Sequence, residues 1–340
     1  MKSAQSDSPD PSSGMPRTAV LIPCLNEAAA ITDVVRGFGA ALPGADIYVY
    51  DNGSEDDTAA LAAAAGAIVR REPRRGKGTV IARMFADVDA ELYVIADGDG
   101  TYDAASAPKM VETLLTEGLD MVVGTRAEST QQNSYRPGHR IGNRLLTFLV
   151  MVVFGRGFTD MLSGYRCLSR RFVKSFPALS RGFEIETELT IHALQLHLPC
   201  AEIPTPYYER PRGGASKLRT LRDGLRITKT IVRLFKDYRP LFFFGALALA
   251  LAALSLGIGL PVIIEYLDTG LVPRLPTAVL AASTMICALL AFGTGLILDS
   301  VARGMSELRR LSYLLQDPTE RPSPNGRHAS LDRTHDKILS

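Results

Sequence analysis

The chain has 340 residues, of which 46% are hydrophobic and 22% charged, and its formal net charge is +2. So small a net charge gives no indication of nucleic-acid binding, and the four cysteines are too far apart to form the C-x-x-C pair of a zinc ribbon or a redox motif. The length allows two ordinary domains, or one large domain with an appendage. Because the excess of apolar residues lies near the C-terminus, the second arrangement is favoured.

Short apolar runs alternate with helix-like segments through the N-terminal half of the chain. The predicted strands are 18–23, 46–51, 67–70, 92–97 and 120–124, and the predicted helices are 27–42, 56–66 and 78–90. Two of the strand runs are apolar almost throughout, as in strands that are buried on both faces of a parallel sheet with crossover helices. Ligands of such sheets bind beyond the carboxyl ends of the strands. Motifs at those ends are therefore the candidates for chemistry.

Two long runs in the C-terminal half, 241–264 and 277–298, contain no charged residue. Each is long enough to cross about 30 Å of hydrocarbon as a helix. A helix at the surface of a soluble domain keeps a polar face, and neither run has one. Membrane spans are therefore favoured over buried core helices.

The residues that flank these runs predict their orientation. Segment 217–239 contains eight basic and two acidic residues, and three arginines follow the second run. Since basic flanks stay on the cytoplasmic side, we expect the N-terminal domain and both termini to be cytoplasmic. Apolar residues interleave the basic ones in 217–239, which favours an amphipathic helix on an anionic membrane surface over a solvated charged helix.

These observations predict five segments. Residues 1–16 form a disordered polar tail, 17–216 an α/β domain, and 217–239 the basic helix next to the membrane. The two spans lie within 240–299. Residues 300–340 form a cytoplasmic tail that is largely disordered after residue 316.

A D-G-D sequence, Asp97–Asp99, closes the apolar run LYVIAD. Two carboxylates this close repel each other unless they share a cation, and Mg²⁺ or Mn²⁺ that also binds a diphosphate meets that need. D-x-D is common in surface turns, but its position at the end of a buried strand favours a metal site. Asp103 is either a third acidic partner or the N-cap of the next helix.

Asp51 ends another predicted strand and opens the sequence DNGSEDDT. Its carboxylate could accept hydrogen bonds from a nucleotide, or the segment could be an ordinary turn before a helix cap. The loop RREPRRGKG (70–78) carries five cations. It is either a diphosphate contact or only a mobile basic loop.

Seven motifs in this order and spacing resemble the family-two glycosyltransferases of the dolichyl-phosphate mannose and glucose synthase type. The similarity covers residues 17–220, and the two apolar runs resemble the membrane-anchored bacterial members that act on undecaprenyl phosphate. The resemblance implies an α/β fold of the GT-A nucleotide-diphospho-sugar transferase type and inversion at the anomeric carbon. The motifs are IPCLNE (22–27), DNGSEDDT (51–58), RGKG (75–78), DGDGTYD (97–103), GTR (124–126), DMLSGYRCLSR (160–170) and ERPRGGASKL (209–218).

The resemblance also implies roles for the residues that match these motifs. The nucleotide-sugar pocket would contain Pro23, Asn26, Glu27, Asp51, Lys77 and Asp97, and the metal would bind to Asp97 and Asp99. Residues that act on the reacting phosphates would be Asp99, Arg126, Arg210 and Lys217, and the acceptor phosphate would contact Arg140, Asn143 and Ser216. Mannose synthases usually have D-A-D-L-Q-H, whereas DGDGTYD places Thr101 where they have Gln. The resemblance therefore does not extend to mannose or to the complete set of metal ligands.

The implied reaction is transfer of a hexose or N-acetylhexosamine from a UDP- or GDP-linked sugar to polyprenyl phosphate at the cytoplasmic membrane face, as in cell-envelope glycan synthesis. An acceptor phosphate with a second pKa of about 6 is largely dianionic at neutral pH. The enzyme then needs no catalytic base and supplies alignment and charge neutralisation of the leaving diphosphate. The implied partners are the nucleotide sugar, the lipid phosphate and the membrane, with no nucleic acid, and homo-oligomerisation stays open.

Two alternatives remain, and a third, a processive synthase, is disfavoured by the sequence. The acceptor could be another lipid or a polysaccharide, or the chain could be a non-catalytic membrane scaffold with a transferase-like domain. A processive polysaccharide synthase would carry a Q-x-x-R-W acceptor motif, and this chain contains no tryptophan.

Overall fold

The computed structural model describes residues 16–126, 158–178, 182, 184–210, 235–236 and 239–317. Seven strands form one sheet in the order β3-β2-β1-β4-β6-β5-β7. Only β6 is antiparallel to its neighbours β4 and β5 among these described strands. The strands are β1 Thr18–Cys24, β2 Asp46–Asp51, β3 Ile68–Arg71, β4 Leu92–Ile95, β5 Met121–Arg126, β6 Arg166–Ser169 and β7 Cys200–Thr205.

Helices cover both faces of the sheet, and two apolar layers result. The layer on one face includes Val34 and Phe38 of α1 and Met110 of α4, and the layer on the other includes Met84 of α3 and Leu189 of α6. The helices of this domain are α1 Ile31–Ala41, α2 Thr58–Ala64, α3 Lys77–Asp87, α4 Ala107–Glu117, α5 Arg170–Ser175 and α6 Ile185–Gln195. The predicted mostly parallel α/β architecture is confirmed.

The predicted boundaries differ from the observed ones where loops leave the sheet. Helix α1 begins at Ile31 rather than Glu27, because residues 27–30 form a turn in which Glu27 O accepts from Ala30 N and Ile31 N at 3.0 Å. Just before it, Asn26 has a φ of 54°. Strand β4 ends at Ile95 rather than at residue 97, and the chain turns away there as the D-G-D sequence begins.

Two long apolar helices follow the α/β domain, α7 Pro240–Thr269 and α8 Leu275–Leu314. Their most apolar stretches have mean hydropathies of 2.5 and 2.0, and most of the side chains there are exposed, so both helices are candidate membrane spans. They pack against each other through small residues. Ser255 Oγ donates to Ala281 O at 2.7 Å, and a Cβ on Gly295 would lie 3.0 Å from Phe244 Cβ.

Helix α8 continues past the uncharged run, which ends at Leu298, and its last turns contact the α/β domain. Tyr313 Oη donates to Asp120 Oδ2 at 2.8 Å, and Arg309 Nη1 donates to Gln195 Oε1 at 2.7 Å. The Arg171 guanidinium lies 5.5 Å from the centre of the Tyr313 ring. Asp120 precedes β5, so α8 reaches the edge of the sheet opposite to the carboxyl ends of the parallel strands.

Candidate functional site

The carboxyl ends of the parallel strands meet at one edge of the sheet and place most of the predicted residues there. Asp51 ends β2 and Arg126 ends β5, while Asp97 and Asp99 follow β4. Arg210 follows β7. The amino end of the antiparallel strand β6 lies at the same edge, so the segment before it joins the site.

Asp99 is the centre of the first ion pair. Its side chain is 4% exposed, and Arg210 Nη2 lies 2.6 Å from Oδ2. The other oxygen, Oδ1, accepts from Thr101 N at 3.1 Å and from Thr101 Oγ1 at 2.7 Å. Thr101, which replaces the Gln of the mannose synthases, therefore orients the Asp99 carboxylate.

Two backbone contacts bring Arg210 to Asp99. Tyr208 N donates to Thr101 O at 2.8 Å, and Tyr102 forms an isolated antiparallel bridge with Tyr207. The segment after β7 therefore pairs with the loop after β4. This pairing joins two motifs that lie more than a hundred residues apart in the chain.

Lys77 lies between two carboxylates. Its Nζ is 2.5 Å from Asp97 Oδ1 and 2.5 Å from Glu186 Oε1, and the Lys77 and Glu186 side chains are almost completely buried. Burial alone would lower the pKa of the Lys77 ammonium, but the two carboxylates raise it above its usual value. Burial raises the pKa of the Glu186 carboxyl although Lys77 opposes this shift. At neutral pH, Lys77 is therefore a fixed positive charge.

Glycine is required at two positions around these pairs. A Cβ on Gly98 would collide with Cys24 Sγ, since the D-G-D turn packs directly on the end of β1. A Cβ on Gly164 would lie 3.0 Å from both Asp97 Oδ2 and Lys77 Nζ. The segment before β6 thus forms one wall of the Lys77–Asp97 pair.

Arg126 is held by a fourth carboxylate, that of Asp160. Its Nε and Nη2 donate to Asp160 Oδ2 and Oδ1, both at 2.7 Å, and its guanidinium lies 5.6 Å from the centre of the Tyr207 ring. This two-bond pairing fixes the plane of the guanidinium. The bond between Thr159 N and Glu202 Oε1, at 2.8 Å, holds the Asp160 segment against β7.

A fully buried arginine, Arg166, shapes the segment before β6. Its Nε donates to Ser163 O at 3.0 Å and its Nη2 to Met161 O at 2.9 Å. Burial lowers the pKa of the guanidinium, and nearby Glu186 opposes that shift. The charge is satisfied by backbone carbonyls, so Arg166 fixes the loop that carries Gly164.

The predicted nucleotide-pocket residues lie in two loops that are hydrogen-bonded together. Asn26 N donates to Ser54 Oγ at 2.9 Å, and Glu55 N donates to Asn26 Oδ1 at 2.8 Å. Glu27 N donates to Thr58 Oγ1 at 2.9 Å, and Asp51 Oδ1 accepts from Ser54 N at 2.9 Å. Pro23, in β1, is opposite Tyr50 of β2. Asp51 thus supports a turn, and this bond uses one of its carboxylate oxygens.

The basic loop 70–78 is tied to the end of β2 by one side chain. Asn52 Nδ2 donates to Glu72 O at 2.9 Å and to Arg74 O at 2.8 Å, and Asn52 Oδ1 accepts from Gly76 N at 2.8 Å. Of the five cations in the loop, Lys77 forms an ion pair with a D-G-D carboxylate, that of Asp97. The three hydrogen bonds of Asn52 argue against a mobile loop.

The donor set of the D-G-D turn fits a hard divalent cation. Carboxylate oxygens are the ligands that Mg²⁺ and Mn²⁺ prefer. Within the described ranges, no group of three or more His, Cys, Asp or Glu side chains is close enough to hold a metal. A cation at Asp97 and Asp99 would therefore need diphosphate oxygens and water as its other ligands.

The structure brings Lys77, Asp97, Asp99, Arg126 and Arg210 to one edge of the sheet. The Asp103 side chain instead turns to the next helix, where its Oδ2 accepts from Ser106 Oγ at 2.6 Å. The remaining four predicted residues, Arg140, Asn143, Ser216 and Lys217, lie outside the described residues, as does most of the predicted basic helix.

Sequence reasoning did not single out Glu186 and Asp160, which pair with two of the predicted cations. Asp160 could have been identified from the sequence, because it is the first residue of the motif DMLSGYRCLSR. Glu186 had a weaker signal, a run of three glutamates in FEIETEL, where all of the first nine residues of α6 are buried. Carboxylates in so buried a helix require partners.

Known proteins resemble this chain in sequence and in fold. Residues 19–176 match the family model described as glycosyl transferase family 2. Glycosyltransferase AglJ of Haloferax volcanii is 36% identical over 253 residues, which are 73% of this chain and 81% of that protein. A dolichyl-phosphate hexose transferase of the same organism is 28% identical over 221 residues, 65% of this chain and 95% of that protein.

Among solved structures, glucosyl-3-phosphoglycerate synthase from Mycobacterium tuberculosis in complex with Mn²⁺, UDP and phosphoglyceric acid superimposes with a TM-score of 0.53. The identity is 25%, and the match covers 65% of this chain and 78% of that one. That enzyme binds its nucleotide together with a divalent metal.

Proposed function

The chain belongs to glycosyltransferase family 2, and from this premise we propose that it transfers a hexose or N-acetylhexosamine from a UDP- or GDP-linked sugar to a polyprenyl phosphate at the cytoplasmic face of a membrane. The product would be a lipid-linked sugar for glycan assembly. The acceptor distinguishes this proposal from the general activity of the family.

The observation that carries the proposal is the pairing of Arg210 with Asp99 at 2.6 Å. It joins the turn expected to hold the donor diphosphate to the segment that leads into the membrane helices. In this position Arg210 could contact a phosphate of the donor or of a lipid acceptor. Guanidinium groups suit phosphate because they offer several donors in a fixed plane.

Two further observations support a lipid acceptor. Helices α7 and α8 are apolar enough to cross a membrane, and they follow the domain in the chain. The H. volcanii relative, which matches over 95% of its own length, is named for transfer to dolichyl phosphate. A soluble acceptor would leave the two apolar helices without a role in the reaction.

The chemistry requires positive charge and alignment rather than a base. One oxygen of the acceptor phosphate attacks the anomeric carbon, the bond from that carbon to the donor diphosphate breaks, and its electron pair leaves on the diphosphate. Lys77, Arg126 and Arg210 each pair with a carboxylate at this edge, and the two guanidinium groups would donate hydrogen bonds to the diphosphate as its negative charge develops. Attack from the face opposite the leaving group inverts the anomeric configuration.

Asp97 and Asp99 would hold a divalent cation, which supplies further positive charge to the leaving diphosphate when it is bound. Two features of the chain position these carboxylates. Thr101 orients Asp99 through two hydrogen bonds. Gly164 has no side chain, which leaves space for the Lys77–Asp97 pair.

The direct test is release of UDP or GDP when undecaprenyl phosphate is added to the protein in detergent with a panel of nucleotide sugars. We expect release with one sugar and with the phosphorylated lipid only. Equal transfer to a polyprenol without phosphate, or to a soluble phosphate monoester, would overturn the lipid-phosphate acceptor. Absence of release with every donor would favour the non-catalytic scaffold.

Variants locate the activity in the proposed site. Arg210→Ala and Lys217→Ala should each lower transfer at least about a hundredfold, the usual effect of removing one donor to a developing charge. Arg83→Ala is the matched control, because Arg83 is half exposed and pairs with Asp87 on the same helix. All three proteins should still insert in the membrane.

A further inference from the structure

An exposed apolar stripe runs along α8 beyond the membrane-spanning part of the helix. Leu308, Leu311 and Leu315 are 60%, 57% and 82% exposed. Within the helix, the spacings of three or four residues place these side chains on one face. We call this face the α8 stripe, and its members are Ile297, Val301, Met305, Leu308, Leu311 and Leu315.

The other faces of this part of α8 have different surroundings. Arg309 and Tyr313, four residues apart, contact the α/β domain. Asp299 and the exposed Arg303 form a pair at 3.1 Å on a second face, which also carries Glu307. Among the residues that the structure describes, the stripe is therefore the apolar face that neither the domain nor this pair covers.

Lipid cannot cover the far end of the stripe if α8 crosses the membrane as proposed above. The helix is continuous to Leu314, so Leu311 lies about 20 Å beyond Leu298 at 1.5 Å per residue. The headgroup layer adds only about 5–8 Å to the hydrocarbon on each side. A tilt of about 20°, typical of membrane helices, changes this height little.

The stripe continues in phase into the spanning part of the helix. Ile286 and Leu290 are 57% and 65% exposed and lie on the same face as Ile297. From Ile286 to Leu315 the exposed face covers about four heptads, the length at which helices associate through such a seam. A partner that follows this face needs an apolar helix that spans the membrane and continues into the cytoplasm.

We propose that the partner is a second copy of this chain, which dimerises through parallel contact of the two α8 stripes. Two copies in one membrane have the same orientation, so their α8 helices run in the same direction. The same residues then meet across a twofold axis along the membrane normal. Contact between the stripes would remove the leucine side chains from water on both copies at once.

Cysteine cross-linking in membranes tests this contact. In a Cys287→Ser background, which removes the exposed native cysteine, Leu308→Cys and Leu311→Cys should oxidise to a species of twice the chain mass. Arg310→Cys is the matched control, because this exposed position points away from both Leu308 and Leu311 on the helix. Equal cross-linking at position 310, or linkage of position 308 to other polypeptides, would overturn the proposal.

A second measurement uses no cysteine. The double variant Leu308→Glu/Leu311→Glu should run as a monomer in mild detergent, where the wild type runs as a dimer. Because both side chains are exposed on the single chain, the circular dichroism spectrum of the variant should match that of the wild type. Wild-type mass in the variant would contradict the proposal. A fluorophore at position 308 that brominated lipid quenches would contradict it as well.

The inference rests on the proposed membrane placement of α8, and the two can fail separately. Dimer mass needs neither donor nor acceptor, so loss of the dimer with intact transfer would refute the stripe contact alone. Failure of transfer to polyprenyl phosphate with an intact dimer would refute the proposed acceptor alone.

Discussion

The ammonium of Lys77 lies 2.5 Å from Asp97 Oδ1, and the same nitrogen is 2.5 Å from Glu186 Oε1. This contact links the first turn of α3 to the D-G-D turn and to α6. One almost completely buried cation thus pairs with a carboxylate of the donor side and with a buried carboxylate behind it.

Lys77→Met should destabilise the protein by about 3–5 kcal/mol, because the buried Glu186 carboxylate loses its partner. Thermal unfolding in detergent measures this loss. Lys77→Met/Glu186→Met should be more stable than the single variant, since no buried charge is then left unpaired. Arg83→Met, on the exposed face of the same helix, should stay within about 0.5 kcal/mol of wild type. Equal effects at positions 77 and 83 would show that the buried pair contributes nothing.

Asp99→Asn should remove most of the donor turnover while the fold is kept, because the amide still accepts from Thr101 but binds a cation poorly. Nucleotide release is the readout, and we expect a loss of at least about a hundredfold. A chelator should inhibit the wild-type protein in the same assay, and Mn²⁺ or Mg²⁺ should restore it. Asp103→Asn is the control, and a comparable loss there would make Asp103 a third acidic ligand.

Reporter fusions determine the topology. Fusions after Tyr238 and after Asp317 should both report the cytoplasm, and a fusion at Thr269, where α7 ends, should report the opposite side. The reason is the excess of basic residues in the flanks of the two uncharged runs. If the first two fusions report different sides, the two-span arrangement is wrong.

Tyr313→Phe should loosen the end of α8 from the α/β domain. The variant lacks the 2.8 Å hydrogen bond from Tyr313 Oη to Asp120 Oδ2, which is worth about 1 kcal/mol at a half-buried position. Hydrogen exchange of residues 305–314 should become faster than in wild type. Tyr208→Phe changes an exposed hydroxyl and should leave this exchange unchanged. Unaltered exchange in the Tyr313 variant would contradict the contact.

His192 should make the protein less stable in acid. Burial, together with the nearby Arg309 charge, lowers the pKa of this ring to about 4. The pKa of a histidine in the unfolded chain is about 6.5. The folded state therefore binds fewer protons between these values, so the contribution is complete above pH 6.5 and falls as the pH drops toward 4. The full loss is about 3 kcal/mol.

His192→Leu should flatten that dependence. The ring lies among Phe172 and Phe176, so an apolar side chain suits the site, and Ser175 Oγ keeps its bond to Phe172 O. Thermal midpoints at pH 7 and pH 5 should then differ less in the variant than in wild type. An equal difference in both proteins would assign the acid sensitivity to other groups.

The sequence by itself determined the architecture and the edge of the sheet at which the site lies. Period and length of apolar runs are local properties, so they identified the two apolar helices and five of the seven described strands, β1 to β5. Since parallel strands end at one edge, Asp51, Asp97 and Asp99 could be assigned to the same side before any contact was known. Arg126 and Arg210 were assigned only through the resemblance to family-two glycosyltransferases. The order of the motifs likewise identified the family from the sequence alone.

Only the tertiary structure decided which charges meet. Arg210 reaches Asp99 because the segment after β7 pairs with the loop after β4, and Lys77 reaches Glu186 because α3 and α6 cover the same face of the sheet. Tyr313 meets Asp120 across a separation of 193 residues. Such pairs depend on strand order and helix placement, which no local pattern encodes, and the free energy of a buried charge depends on the partner it finds in the folded chain.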